Sequence, residues 1–282
     1  MIPFKIPPWR KKQIDRKYQR KSKVVHRVVS DMEVVMESLA DHIVDSNGHT
    51  PPVINSLYNI SERFYRSVVE NAVESCDDEK ESQKGKKRLA KGPTGITKNI
   101  KSIDDIFKNK RYWQAMMKRS RKLTEKLLKG YLRKLNKRFN ELLPLIRDGQ
   151  MSPADAKKQM REVWGATKPR VETIFRTETT NYFEKTQVKY FKDDPEIIGF
   201  MFDSVRDSSR TDICRSRHGM IYTQDHVGHD SLSYNTPALH YNCRSHLIAL
   251  ANTPENVKLL KETSRDPAKN RGKIKPLDPK WR

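Results

Sequence analysis

The stretch IDDIFKNKRYWQAMMKRSRKLTEKLLKGYLRKLNKRFNELLPLI, residues 103–146, decides the fold. Trp113, Met116/Met117, Leu123, Leu127/Leu128, Tyr131, Leu135, Phe139, Leu142/Leu143 and Ile146 mark the apolar stripe of a long α-helix. The remaining positions are mostly Lys and Arg, so a basic outer face lies opposite an apolar stripe. Gly130, which costs about 1 kcal/mol relative to Ala inside a helix, marks a candidate bend. The stripe itself is read as packing rather than as a ligand pocket.

Working outward, Asp148-Gly149 ends this helix. The next begins with Ser152 as N-cap, Pro153 at the first helical position and Asp155 in the first turn. It is expected to run to about Trp164, and a separate helix to start at Pro169 and reach Phe191. Upstream, Val25, Val28/Val29, Met32, Val35/Met36, Leu39 and Ile43 mark another amphipathic helix, stopped by Ser46-Asn47-Gly48. Pro51-Pro52 opens its antiparallel partner. The first residues read as an extended arm, because Pro3, Pro7 and Pro8 oppose helix and few apolar neighbours follow. Beyond residue 195, Ile197–Phe202, Met220–Tyr222 and His246–Leu250 are short apolar runs with the signature of strands.

The predicted organisation is a basic arm (1–23), a helical hairpin (24–76), a basic linker (77–102), a long basic helix (103–147), a mixed module (148–252) and a loose tail (253–282). The fold class is mainly α with a small C-terminal α+β module, the N-terminal part being extended and helical.

Composition agrees with that picture. Only 35% of the 282 residues are hydrophobic and the mean hydropathy is −0.86, which excludes one large globule with a thick core. No run approaches the ~18 apolar residues of a membrane span, and residues 1–9 lack the apolar region of a secretory signal. Three cysteines are too few for a disulfide scaffold, and a reducing compartment is expected.

The formal charge of +22 is concentrated. Residues 1–30 hold ten Lys/Arg against Asp15, and residues 84–138 hold twenty against Asp104, Asp105 and Glu125. The remainder is slightly acidic. Such clusters repel themselves, so a polyanion is the expected partner: nucleic acid, taken as double-stranded DNA, with an acidic protein surface or a face kept basic for solubility as the alternatives. The candidate phosphate contacts are Arg10, Lys11, Lys12, Arg16, Lys17, Arg20 and Lys21 in the arm, Lys86, Lys87 and Arg88 in the linker, and Lys118, Arg119, Arg121 and Lys122 on the long helix. No base-reading motif accompanies them. Recognition through the DNA backbone, independent of sequence, is therefore expected.

Two cysteines and most histidines lie between residues 214 and 246. His240 and Cys243 have the two-residue gap of a metal knuckle, and Cys214 with His218 offers the other half of a tetrahedral N/S site for zinc. The same residues would also serve as a small core with a buried thiol and hydrogen-bonded imidazoles.

Three further segments stand in order: Arg176-Thr177-Glu178 on a helix; Asp207-Ser208-Ser209-Arg210-Thr211-Asp212-Ile213-Cys214 with Gly219; and Pro237-Ala238-Leu239-His240-Tyr241-Asn242-Cys243-Arg244. Over roughly residues 140–250 this resembles the head morphogenesis (Mu F-like) family of minor head proteins in tailed bacteriophages. Thr211 stands where some members of that family have a first cysteine, and Pro237-Ala238 where they have a proline pair, so a closed four-donor site would need His218. The resemblance implies a non-enzymatic virion component inside the capsid, made in the host cytoplasm. It would be bound to the portal protein, with scaffold or major capsid protein as further contacts, and would act in head assembly, genome packaging or DNA delivery. It gives Arg176, Thr177, Glu178, Asp207, Arg210 and Arg244 a structural role. Arg176 and Glu178 point about 200° apart on a helix and cannot pair with each other. Glu178 is expected to reach Arg210 or Arg244 and clamp the helix to the sheet.

Two other readings compete. The order His226, Asn235, His240 loosely follows the His-Asn-His of small metal-dependent nucleases, in which a divalent ion holds the scissile phosphate. A nucleic-acid-binding protein outside any phage is the other.

Overall fold

A computed structural model describes residues 8–83, 107–192, 194–205, 207–224 and 231–263. Among them are seven helices: α1 (Pro8–Asp45), α2 (Ile54–Gln83), α3 (Lys110–Arg147), α4 (Pro153–Tyr190), α5 (Asp212–Arg215), α6 (Leu232–Asn235) and α7 (Pro254–Thr263). Three strands, β1 (Ile197–Asp203), β2 (Ile221–Tyr222) and β3 (His246–Ala251), complete the set. The fold is mainly α with a small α+β part near the C-terminus. It divides into two compact units, each assembled from segments far apart in the chain.

The helical unit takes residues 23–67 and 107–175. Val28, Met32, Met36, Leu39 and Ile43 of α1 are buried with Leu57 and Phe64 of α2, Tyr131, Leu135 and Phe139 of α3, and Met160, Trp164 and Phe175 of α4. The α1 and α3 positions among them are ones that the periodicities select, and each full burial stabilises by about 1.5–3 kcal/mol. Phe64 meets Phe175 edge to face at 4.8 Å, and Tyr131 donates to the Met36 carbonyl at 3.1 Å. Both predicted helix stops close as Schellman turns. Gly48 N donates to Ile43 O at 2.8 Å with Asn47 at φ 52°, and Gln150 N to Leu145 O at 2.9 Å with Gly149 at φ +68°. Ser152 caps α4 by accepting from Asp155 N at 3.1 Å. At the rim, Arg161 forks onto Asp41 at 2.8 and 2.5 Å, and Lys168 pairs with Glu33 at 2.9 Å.

α4 does not break where expected. It continues through Pro169, because Trp164, Val171 and Phe175 stay on one buried face across the proline. The tertiary packing outweighs the lost backbone bond, at a cost of ~3 kcal/mol.

The mixed unit takes the described residues of 8–22, 68–83 and 176–263. Its antiparallel sheet has the order β2-β1-β3, with Met201 opposite Ile221 on one side and Ile248 on the other. Gly199, at a bulge in β1, is required by close approach: a Cβ there would lie 3.1 Å from the Tyr222 carbonyl oxygen. One sheet face gathers Met201, Ile221, Ile248 and Leu250 against Ile14 of α1 and Leu259 and Leu260 of α7. Phe200 stacks toward Phe191 with ring centroids 6.3 Å apart.

Three expectations are corrected here. The arm is helical from Pro8, since proline is tolerated in the first turn and Ile14, Lys17, Lys21, Val24 and Val28 share one buried face. The beginning of the tail is helix α7, held by Leu259 and Leu260. The linker residues 77–83 prolong α2. Residues 84–106 and 264–282, which hold most of the linker and tail, lie outside the described residues.

Candidate metal centre and basic surface

β3 and the N-terminal third of α1 are joined by a buried ionic network. Lys21 Nζ lies 2.5 Å from Glu184 Oε1 and 3.1 Å from His246 Nδ1. Glu184 Oε2 accepts from Leu247 N at 2.8 Å. Lys17 pairs with Glu79 and donates to the Leu247 carbonyl at 2.7 Å, while Gln187 donates to Glu79 at 2.8 Å. Burial works against the Glu184 charge, but Lys21, His246 and Lys17 outweigh it and hold its carboxyl at about 2. Burial, then Lys21, lowers His246 to about 4, so its ring is neutral. Burial also lowers Lys21 and raises Glu79.

Lys17 and Lys21 were expected to meet phosphate. Both are buried, at 1% and 6% exposure, and already paired, so they face the protein interior. Arg20 pairs with Asp78 at 3.1 Å. Lys11, Lys12 and Arg16 remain on the exposed side of α1. The Arg10 side chain and residues 86–88 lie outside the described residues. On α3, Lys118, Arg119, Arg121 and Lys122 are exposed, as expected. At 100° per residue, Lys118, Lys122, Lys126, Lys129, Arg133 and Lys137 form one stripe opposite the buried face and about 28 Å long. The sequence reading missed the last four of these six, although the same spacing carries them. The helix holds thirteen Lys/Arg against Glu125 and Glu141.

Cys214 on α5 and the loop before β3 build the second feature. Cys214, His240 and Cys243 present ligand atoms within 4.8 Å of one another and could hold a metal ion. Cys214 Sγ lies 3.7 Å from Cys243 Sγ and 3.0 Å from His240 Nε2. Two thiolates on a tetrahedral zinc at ~2.3 Å stand about 3.8 Å apart, so the sulfur pair already fits. A zinc-bound nitrogen and sulfur stand about 3.5 Å apart, so His240 must withdraw by about half an ångström. His240 Nδ1 donates to the Tyr241 carbonyl at 2.7 Å, which leaves Nε2 to face the ligand. Burial raises Cys243, but hydrogen bonds from Cys214 and His240 outweigh it and bring the thiol well below its usual range. Its hydrogen bond to Cys243, and then burial, raise Cys214. Burial disfavours charge on His240, yet the neighbouring Cys243 raises its pKa.

His218, expected as the fourth ligand, is not in this group. Its Nδ1 accepts from Ser204 N at 3.1 Å and lies 3.4 Å from Asp203, because the turn after α5 carries it toward the end of β1.

The three sequence motifs meet around this loop. Asn242, at φ 59°, donates its N–H to Thr177 Oγ1 at 2.8 Å and accepts from Arg176 at 3.1 Å. Thr180, not singled out in the sequence, donates to the Cys243 carbonyl at 2.9 Å. Arg244 forks onto Asp207 at 2.5 and 2.8 Å and holds that carboxyl below its usual range. Arg210 donates to Ser204 Oγ at 3.3 Å. Buried Glu178 was expected to take Arg244 or Arg210; Arg244 instead answers Asp207, which its planar fork matches.

Residues 140–248, under half of the chain, match the family model described as Phage Mu protein F like protein. Over that stretch the chain is similar to the Mu F-like family. The match covers the turn into α4, the Arg176-Thr177-Glu178 helix, the sheet and the closing loop, the same stretch that carries the motifs. Comparison with curated proteins and with solved structures gives no match.

Two residues of the nuclease order are described. Asn235 is buried, accepting from Arg217 at 2.8 Å and donating to the Ser231 carbonyl at 2.8 Å, and His240 belongs to the thiol cluster. His226 lies outside the described residues. No described helix is long and apolar enough to cross a membrane.

Proposed function

We propose that this chain is a minor head protein of a tailed bacteriophage. In this reading it sits inside the capsid beside the portal protein, after synthesis in the host cytoplasm. It takes part in head assembly and in packaging or delivery of the genome, contacting double-stranded DNA without reading its sequence. The observation that carries the reading is the Mu F-like match over residues 140–248 in a chain whose α3 displays a continuous stripe of six exposed cations. The family match over residues 140–248 supports the head. The stripe supports DNA, because cations along a helix neutralise phosphates without a base-edge geometry. The role is structural, and portal, scaffold or major capsid protein are the partners that fit it. The Cys214–His240–Cys243 group holds zinc in this account, stapling the closing loop of the module to α5.

The test is binding to duplexes of unrelated sequence across a range of salt. If about five α3 side chains reach phosphate, log K falls against log salt with a slope near −4.5. Changing Lys118, Lys122, Lys126 and Lys129 to Gln removes about 3 to 4 from that slope's magnitude and weakens all sequences alike. A slope unchanged by the four substitutions, or strong preference for one duplex, overturns the DNA assignment.

A further inference from the structure

We propose that Cys214 and Cys243 are a redox pair that exchanges a bound metal for a disulfide, so that the closing loop of the module has two covalently distinct states. This rests on the zinc assignment above for its metal-bound state, while the disulfide stands on the sulfur geometry alone.

The two Sγ atoms are 3.7 Å apart and both thiols are free. They are 29 residues apart in sequence, on α5 and on the loop entering β3, so a bond between them ties two different elements. Forming it requires a sulfur approach of about 1.7 Å, to the ~2.0 Å of a disulfide. The loop cannot follow freely: Thr180 holds the Cys243 carbonyl, and Thr177 and Arg176 hold Asn242. Oxidation therefore pulls on the turn of α4 that carries Arg176, Thr177 and Thr180, and separates Cys214 Sγ from His240 Nε2. A metal held by both sulfurs loses two of its donors in one step. Cys76, buried on α2 and raised well above its usual range by that burial, is the internal control.

Hydrogen peroxide is small enough to serve as the oxidant. One thiolate attacks a peroxide oxygen, the O–O bond breaks, and the products are a sulfenic acid and hydroxide, which takes up a proton to give water. The second thiol attacks the sulfenic sulfur, the S–O bond breaks, and water leaves as the S–S bond forms. Overall two thiols lose two protons and two electrons, and one peroxide becomes two waters. Where zinc is bound, it departs as the dication, and the protons for water come from solvent. A protein made in a thiol-rich cytoplasm and then carried out of it would hold metal first and the disulfide later.

The full-length chain, loaded with zinc, is titrated with peroxide while zinc release, free thiols and intact mass are followed. The expected result is release of one zinc together with loss of two thiols and a mass decrease of about 2 Da, reversed by dithiothreitol. Peptide mapping then links Cys214 to Cys243 and finds Cys76 reduced. The Cys243→Ser chain, treated alike, gains oxygen on Cys214 and shows no mass decrease. Oxygen adducts on Cys214 or Cys243 of the native chain without a cross-link overturn the pair. So does a zinc-loaded chain that keeps its metal and all three thiols at peroxide levels that oxidise a free cysteine peptide. A disulfide forming in a chain that takes up no zinc refutes the metal assignment and leaves the thiol pair standing.

Discussion

Replacing His246 with Asn should change how stability depends on pH. His246 is fully buried, and its Nδ1 accepts from Lys21 at 3.1 Å while Glu184 and Lys17 complete the surroundings. Its pKa is held at about 4, against 6.5 in a free chain, first by burial and then by Lys21. Because the folded value lies below the unfolded one, the unfolded chain takes up the proton first. The contribution is complete above about pH 6.5 and is lost as pH falls toward 4. At about 1.4 kcal/mol per pH unit, the loss over that window is about 3 kcal/mol. Asn keeps an acceptor for Lys21 and removes the titration. Urea unfolding of the metal-free, reduced chain at several pH values between 7 and 4 measures both proteins. The native-minus-variant difference should shrink by about 3 kcal/mol between those limits. Glu184, whose pKa is lowered to about 2, loses its contribution only below pH 4.5 and lies largely outside this window. A difference that stays constant from pH 7 to 4 would refute the assignment of a neutral, buried His246.

Glu184→Ala leaves Lys21 buried without its carboxylate and should cost about 3–5 kcal/mol in denaturant unfolding at neutral pH. A loss below 1 kcal/mol would mean that water or another acceptor fills the place. Thr211, three residues before Cys214, caps α5 by accepting from Cys214 N. Thr211→Cys should add a donor at knuckle spacing and tighten zinc by about tenfold or more in chelator competition. His218→Ala should leave zinc affinity unchanged, and a tenfold loss there would return His218 to the ligand set.

Much of this architecture is legible in the sequence because local rules and tertiary packing agree. The apolar stripe of α3 is buried at Met116, Leu128, Tyr131, Leu135, Phe139 and Leu142, with Ser120 and Thr124 filling the gap in it, and Asn47-Gly48 and Asp148-Gly149 stop their helices through left-handed residues. The sheet follows from three short apolar runs. Misreading came where packing overrode a local signal. Pro169 reads as a boundary, yet the helix is held through it by Trp164 and Phe175. Lys17 and Lys21 read as surface charge, yet their acids, Glu79 and Glu184, lie 62 and 163 residues away, a separation no spacing rule spans. For the same reason the site was legible in part. His240 and Cys243 stand three positions apart and betray themselves by that spacing, and Cys214 by residue type. That His218 turns toward Asp203 and Ser204 depends on the path of the turn after α5, which the sequence pattern does not encode.

Head membership is the central claim, and purified particles test it most directly. Quantitative mass spectrometry of DNA-filled heads, stripped of tails, from a phage that carries this gene should find this chain in every preparation. Its copy number should lie far below that of the major capsid protein, and it should stay with the portal when the shell is dissociated. Finding the chain in the infected-cell extract while the purified heads contain none would contradict the account.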